Sequence, residues 1–255
     1  MSVFAAYSRY YDLLYRDRDY AGEARYVADL VKRHAPGAAS MIEIGCLSGG
    51  HTREFASLGF SVHGVDRNAG MLEAADAKLD SMEPELRARI RFSQGDARSV
   101  RLGKTADAVI SLYNVMSSQS SNADLTAAFT TAREHLVKGG VFIFDCWYGP
   151  AVLVERPSVT IKRLEDVAVS ITRIAEPTMN SAQNIVDVNY TVLVYDRKTA
   201  TVETLRETHR MRYLFRPEVE LLLAANGMSL VTSHEWMTDL APGPHSWSAC
   251  FVARG

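Results

Sequence analysis

Five short apolar runs limit the fold of this chain more than any other feature. Four of them end at a glycine or an acidic residue, and helix-forming stretches separate most of them. The first, Ser40-Met41-Ile42-Glu43-Ile44, runs into Gly45. It follows a stretch in which Ala24, Val27, Ala28, Leu30 and Val31 recur at helical spacing, and Pro36-Gly37 ends that stretch. The second ends at Asp66, the third starts at Ile90 and stops before Gly95-Asp96, the fourth covers 106–112, and the fifth covers 141–145. Between them, 49–58, 69–79 and 124–136 are expected helices, the last closed by Lys138-Gly139-Gly140. Strands covered on both faces are apolar throughout rather than alternating. Strand and helix alternating at this spacing predict a doubly wound, mostly parallel α/β sheet with helices on both faces.

Beyond Pro150 the period changes. Segments 159–162, 167–174, 185–195 and 201–213 alternate apolar and polar, with Val186, Val188, Tyr190, Val192 and Val194 on one face. That is the period of half-buried antiparallel strands, and Asp196-Arg197-Lys198-Thr199 reads as a hairpin turn. A helix over 217–225 and strands over 228–236 and 247–252 then return to the first pattern. The expected architecture is a seven-stranded Rossmann-like domain formed by 1–156, with an N-terminal helical cap, and 214–255. An antiparallel β insertion over 157–213 caps the substrate or forms a dimer contact. A chain of 255 residues has room for one such domain with an insertion.

The formal net charge of −2 argues against nucleic acid or an anionic membrane as partner. No apolar run reaches the ~18 residues that a membrane-spanning helix needs, and the first twenty residues lack the pattern of a secretory leader. Three cysteines are too few for a disulfide framework, so a reduced, cytoplasmic protein is expected. No Cys/His cluster has metal-binding spacing, and no metal is expected.

The chemistry lies after the strands. Glu43-Ile44-Gly45-Cys46-Leu47-Ser48-Gly49-Gly50-His51 is a glycine-bearing turn, and Asp66 is an acid about 20 residues on, suited to a ribose. Leu47 stands where a dinucleotide turn has a glycine, which disfavours a nicotinamide dehydrogenase. Glu43 suits a cationic ligand better than a phosphate; the alternative is a glycine-rich turn beside a solvated acid. Asp96-Ala97 can meet an adenine amine.

In that order, Glu43-Ile44-Gly45-Cys46, Gly64-Val65-Asp66, Gly95-Asp96 and Leu136-Val137-Lys138-Gly139-Gly140 resemble the class I S-adenosylmethionine-dependent methyltransferases. Tyr11-Asp12-Leu13, Asp19-Tyr20-Ala21-Gly22-Glu23-Ala24, Asp145-Cys146-Trp147-Tyr148-Gly149-Pro150 and Glu207-Thr208-His209-Arg210 extend the likeness to the nucleotide-deoxysugar N-methyltransferases. That resemblance implies S-adenosylmethionine as cofactor, with Gly45 and Cys46 under its methionine part, Asp66 on the ribose, and Asp96 and Ala97 on the adenine. Tyr20, Glu43, Arg67, Met71 and Leu112 complete the expected cofactor set. It also implies methyl transfer to an amino or hydroxyl group of a small molecule such as a nucleotide-linked sugar. Three departures stand out. Leu47 replaces a glycine, so the turn is expected to be reshaped. Asp145-Cys146 replaces Glu-Pro, and the loop 114–119 is not of the deoxysugar type.

For the transfer itself, Tyr11 can orient the acceptor or pack between helices. His209, a residue type that titrates near neutrality, can act as base or support the sheet. Asn114 can orient the acceptor or cap its loop. Trp147 and Tyr148 can stack on a sugar or nucleobase, and Arg212 can face a phosphate. A non-catalytic binding protein of the same fold is the alternative, and a homodimer through the β insertion is an expected assembly.

Overall fold

The computed structural model describes residues 10–255. The first nine residues of the expected N-terminal helical cap lie outside them. A helical stretch over 10–14 leads into α1 (Tyr20–His34), whose N-terminus is capped by Asp19 accepting from the Gly22 N–H at 2.8 Å. The chain then alternates β1 (Ser40–Ile44), α2 (Gly50–Ser57), β2 (Ser61–Asp66), α3 (Ala69–Leu79), α4 (Pro84–Ala88), β3 (Ile90–Gln94), β4 (Ala106–Ser111), α5 (Asn122–Glu134) and β5 (Leu136–Trp147). After α6 (Gly149–Val154) come β6 (Thr160–Glu165), β7 (Val169–Asn180), β8 (Ile185–Asp196) and β9 (Thr201–Arg212). Helix α7 (Arg216–Ala225) and strands β10 (Ser229–Glu235) and β11 (Ser248–Arg254) finish the fold.

The main sheet has seven strands in the order β10-β11-β5-β4-β1-β2-β3, with β11 antiparallel to both neighbours. Its two faces bury separate apolar clusters. Ile42, Phe129, Phe142, Phe144 and Phe251 lie on one side; Val27, Phe55, Val62, Ile110 and Ile143 lie on the other. Chain order reverses at β1, whose neighbours are β2 and β4, so the loops leaving these strands diverge there. Open α/β sheets bind ligands at that point, beyond the carboxyl ends of the strands.

The ends of one helix and of several strands differ from the sequence reading; the fifth strand, expected over 141–145, runs over Leu136–Trp147. The helix expected over 124–136 starts at Asn122, because the Ser121 side chain accepts from the Asp124 N–H at 3.0 Å. It ends at Glu134, because Leu136 already pairs with Ala106 at the start of β5. The short helices α4 and α6 have too few residues to show a helical period.

Strands β6 to β9 form a separate four-stranded antiparallel sheet. Its β8–β9 register pairs Tyr190 with Glu207 and Val188 with His209. Residues paired across antiparallel strands share a face, so Arg173, Tyr190, Glu207, His209 and Met211 all point to the same side. The chain rejoins the main domain at Leu214, whose N–H donates to Trp147 O at 2.9 Å. No helix among the described residues is long and apolar enough to cross a membrane.

Candidate active site

A cavity of about 580 Å³ opens where the strand ends of the main sheet face the inserted sheet. Its floor begins at the turn after β1. Gly45 has φ +80°, and a Cβ there would meet the Val115 side chain at 2.3 Å, so the backbone passes close under the following loop. Leu47 also takes a left-handed conformation, with φ +52°. The turn keeps its glycine-like course and is not reshaped as expected. Two contacts hold it: the Leu47 N–H donates to Asp66 Oδ2 at 2.9 Å, and the side chain packs in the cluster containing Tyr11 and Met71.

The left-handed backbone at a leucine costs about 1–2 kcal/mol. Leu47→Gly is therefore expected to change stability by less than about 1 kcal/mol, as strain relief offsets lost packing and the entropy cost of glycine. A thermal melt checks this. A loss above about 2 kcal/mol would show that the leucine packing outweighs the strain.

Asp66 is 6 % exposed at the end of β2. Its Oδ1 accepts from the Asn68 N–H at 2.8 Å, and burial raises its carboxyl above the ordinary range. The carboxylate lines the cavity and has acceptor capacity left for a further donor. Met71 and Arg67 join it on the wall. Asp96 and Ala97 follow β3. Arg98 grips both Asp96 oxygens at 2.8 and 2.6 Å and holds that carboxyl down to about 2, so it stays charged.

The loop after β4 supplies the next wall. Tyr113 and Asn114 are consecutive left-handed residues, with φ +64° and +62°. Two such neighbours are strained and need an anchor. The Asn114 N–H donates to Asp145 Oδ1 at 2.8 Å, and the Arg18 guanidinium lies 4.0 Å over the Tyr113 ring. Asp145 is 2 % exposed, and burial pushes its carboxyl up to about 6. The Asn114 Oδ1 is buried without a hydrogen-bond partner among the described residues. An acceptor in that state, on a cavity wall, wants an N–H or O–H from whatever occupies the cavity.

The N-terminal segment and the inserted sheet close the top. Tyr11 is 3 % exposed and packs with its ring tilted against that of Tyr15, the centres 4.6 Å apart; Tyr15 meets Tyr113 edge-on at 5.2 Å. Burial pushes the Tyr11 hydroxyl far up, and it hydrogen bonds with Tyr20. It stays protonated and can orient an acceptor but not act as a base. From the sheet, Arg173 donates to the Tyr15 hydroxyl at 2.9 Å and lies 5.1 Å from the Tyr190 ring centre. His209 meets Tyr190 edge-on at 4.9 Å, with Glu207 Oε1 2.9 Å from its Nε2.

The wall thus brings together Tyr11, Gly45, Asp66, Arg67, Met71, Asp96, Ala97, Asn114, Trp147 and His209. Six other singled-out residues sit off it. Glu43 is 1 % exposed, accepts from the Thr52 hydroxyl and lies 3.8 Å from His51 Nδ1, so it ties α2 to β1. Cys46 lies beside Gly64, and burial raises its thiol well above the usual value. Leu112 is in the core. Tyr20 packs edge-on to His51 at 4.9 Å. Tyr148 is buried in the core at the start of α6. Arg212 pairs with Glu218 in the wall of a neighbouring groove. The sequence reading did not single out Tyr15, Tyr113 or Arg173 as site residues. Arg173 was out of reach because only the β7–β8 register puts it on the His209 face.

The residues present fit S-adenosylmethionine. A close-approach turn, a buried carboxylate with acceptor capacity left after β2 and a charged one after β3 lie along one wall.

Comparisons with known proteins agree. A family model described as a methyltransferase domain matches residues 41–140. Over 222 residues the chain is 28% identical to a dTDP-3-amino-3,6-dideoxy-alpha-D-glucopyranose N,N-dimethyltransferase of Streptomyces fradiae, covering 86% of this chain and 82% of that one. The crystal structure of Streptomyces venezuelae DesVI superposes with a TM-score of 0.78 at 26% identity, covering 97% of each chain. That of CalS10 from Micromonospora echinaspora, an amino pentose methyltransferase bound to S-adenosylmethionine, does so with 0.75 at 26% identity, covering 96% of this chain and 95% of that one. With the matched domain and the shared fold, the chain is an S-adenosylmethionine-dependent methyltransferase, similar to the nucleotide-deoxysugar N-methyltransferases.

Proposed function

We propose that this enzyme methylates the amino group of a dTDP-linked amino sugar. The observation that carries the reading is the pair of acceptors on the cavity wall, the unpartnered Asn114 Oδ1 and the His209 imidazole. A hydroxyl has one proton, so it cannot satisfy Asn114 and also donate to a base. An amino group can do both and still present its lone pair. The relative from Streptomyces fradiae and CalS10, named for dTDP-amino sugar and amino pentose substrates, support the same reading.

When bound, the cofactor supplies an electrophilic methyl group on its sulfonium. Asp66 and Asp96 fix the ribose and adenine ends, and the Gly45 turn underlies the methionine part. Asn114 Oδ1 accepts an acceptor N–H and turns the nitrogen lone pair inward. His209 takes the departing proton on Nδ1, the ring nitrogen away from Glu207, and the Glu207 carboxylate steadies the resulting imidazolium. Tyr11, Tyr15 and Tyr113 form an aromatic wall that keeps water from this region. We also read the protein as cytoplasmic, which its three free buried cysteines support. A homodimer through the outer face of the inserted sheet is supported by the exposure of Ile161 and Val202.

The test pairs a dTDP-amino sugar with its hydroxyl counterpart in the presence of S-adenosylmethionine. Release of S-adenosylhomocysteine with the amine alone, and a methyl group on the sugar nitrogen by mass spectrometry, is the expected result. Release with the hydroxyl sugar alone overturns the reading.

A further inference from the structure

Beside the cavity runs a second, polar groove of about 620 Å³, open to solvent. The two share Arg210, and segment 118–122 walls both, with Ser118 and Gln119 in the cavity and Ser120 to Asn122 in the groove. One side of the groove is therefore the N-terminus of the 13-residue helix α5. Its first backbone N–H groups have no partners within the helix, and the helix dipole places positive charge there. The other side is the end of β9, with Arg210 and Arg212.

The two arginines differ in their surroundings. Arg212 is 9 % exposed, gives one guanidinium nitrogen to Glu218, and keeps its Nε without a partner among the described residues. A nine-tenths buried guanidinium that is only partly satisfied is costly to keep unless something else takes up its donors. Arg210 is exposed, with its Nε 3.7 Å from Asp187 and its Nη2 3.4 Å from Gln183 Oε1. Among the described residues nothing engages its Nη1. Two guanidinium groups and a helix N-terminus converging on one polar groove match the oxygens of a phosphate chain.

We propose that this groove holds the diphosphate of the acceptor, with the sugar reaching past Arg210 into the cavity. The inference rests on the nucleotide-linked acceptor proposed above, and it adds the place and the residues that recognise the anionic part. Arg210 is the hinge of that arrangement, because it alone of the two arginines faces both spaces. From the sequence, Arg210 and Arg212 can both face a phosphate; in the structure Arg210 is exposed and lines both spaces, while Arg212 is buried against Glu218.

Calorimetry on the full chain tests the proposal with dTDP, thymidine, inorganic diphosphate and S-adenosylhomocysteine, on wild type and Arg210→Met. Arg210→Met removes an exposed side chain at the rim between the cavity and the groove, so the fold is expected to persist. Loss of charge-assisted hydrogen bonds should weaken dTDP by about 10–100-fold. S-adenosylhomocysteine should bind both forms equally, thymidine should bind both weakly, and inorganic diphosphate should displace dTDP. Equal dTDP affinity in wild type and variant overturns the proposal, as does thymidine binding as tightly as dTDP. The two readings fail separately. A free amino sugar methylated at full rate, with no dTDP binding, removes the diphosphate site and leaves amine methylation standing. dTDP bound through Arg210 with no methylation of any amino sugar does the reverse.

Discussion

Asp66→Ala is expected to weaken S-adenosylmethionine binding by about 10²–10⁴-fold, through two lost hydrogen bonds to a charged group worth ~1.5–3 kcal/mol each. The carboxylate meets the cavity from the end of β2, and each oxygen already accepts one backbone N–H, from Asn68 at 2.8 Å and from Leu47 at 2.9 Å. The same substitution leaves those two donors without acceptors, so stability should fall by about 1–3 kcal/mol as well. Asp66→Asn separates the effects, since it keeps an oxygen for the turn but loses the charge that strengthens the ribose contacts. The pH dependence has a definite sign. Burial lifts the Asp66 carboxyl above its ordinary range, and the ribose hydroxyls donate to the ionised form. Affinity should therefore fall as pH drops through that raised value and be complete above it. Titration calorimetry across pH reads both. A folded Asp66→Ala protein with wild-type affinity would remove Asp66 from the cofactor site.

His209→Ala is expected to lower turnover by about 10²–10⁴-fold, the usual worth of a positioned general base. S-adenosylhomocysteine affinity should stay unchanged, because His209 enters from the inserted sheet while Asp66 and Asp96, the proposed cofactor contacts, enter from the main sheet. Glu207→Gln should give a smaller loss, as it withdraws only the charge 2.9 Å from the imidazole. Rescue of His209→Ala by added imidazole would mark the missing proton acceptor, which a merely structural loss would not restore. Equal turnover in all three proteins would move the proton to another group.

The main sheet was legible because burial on both faces writes itself into continuous apolar runs, and the glycines and acids that end them lie at the cavity. Gly45, Asp66 and Asp96 could therefore be placed from spacing alone. Glu43 could not, because its burial against Thr52 and His51 depends on how α2 packs on β1. The inserted sheet was legible as alternation in β8, where Val186, Val188 and Val192 are buried as the period requires. What the alternation lacks is register. Whether Arg173 and Glu207 share a face with His209 depends on which residue pairs with which across three strands, and no single strand encodes that. Asp145 was noticed only as a departure from a family pattern. Its part in anchoring Tyr113 and Asn114 needed the backbone angles.

The place of the insertion also sets an order of assembly. Strands β5 and β11 pair side by side, with Trp147 opposite Ser248, yet the whole four-stranded insertion lies between them in the chain. Closing that edge from an open coil would carry the entropy of a very long loop. Strands β7, β8 and β9 pair with their sequence neighbours through short turns, so they can collapse locally first and bring the ends of the segment together. The lid over the cavity would then nucleate early, and the edge of the sheet beneath it would zip up last.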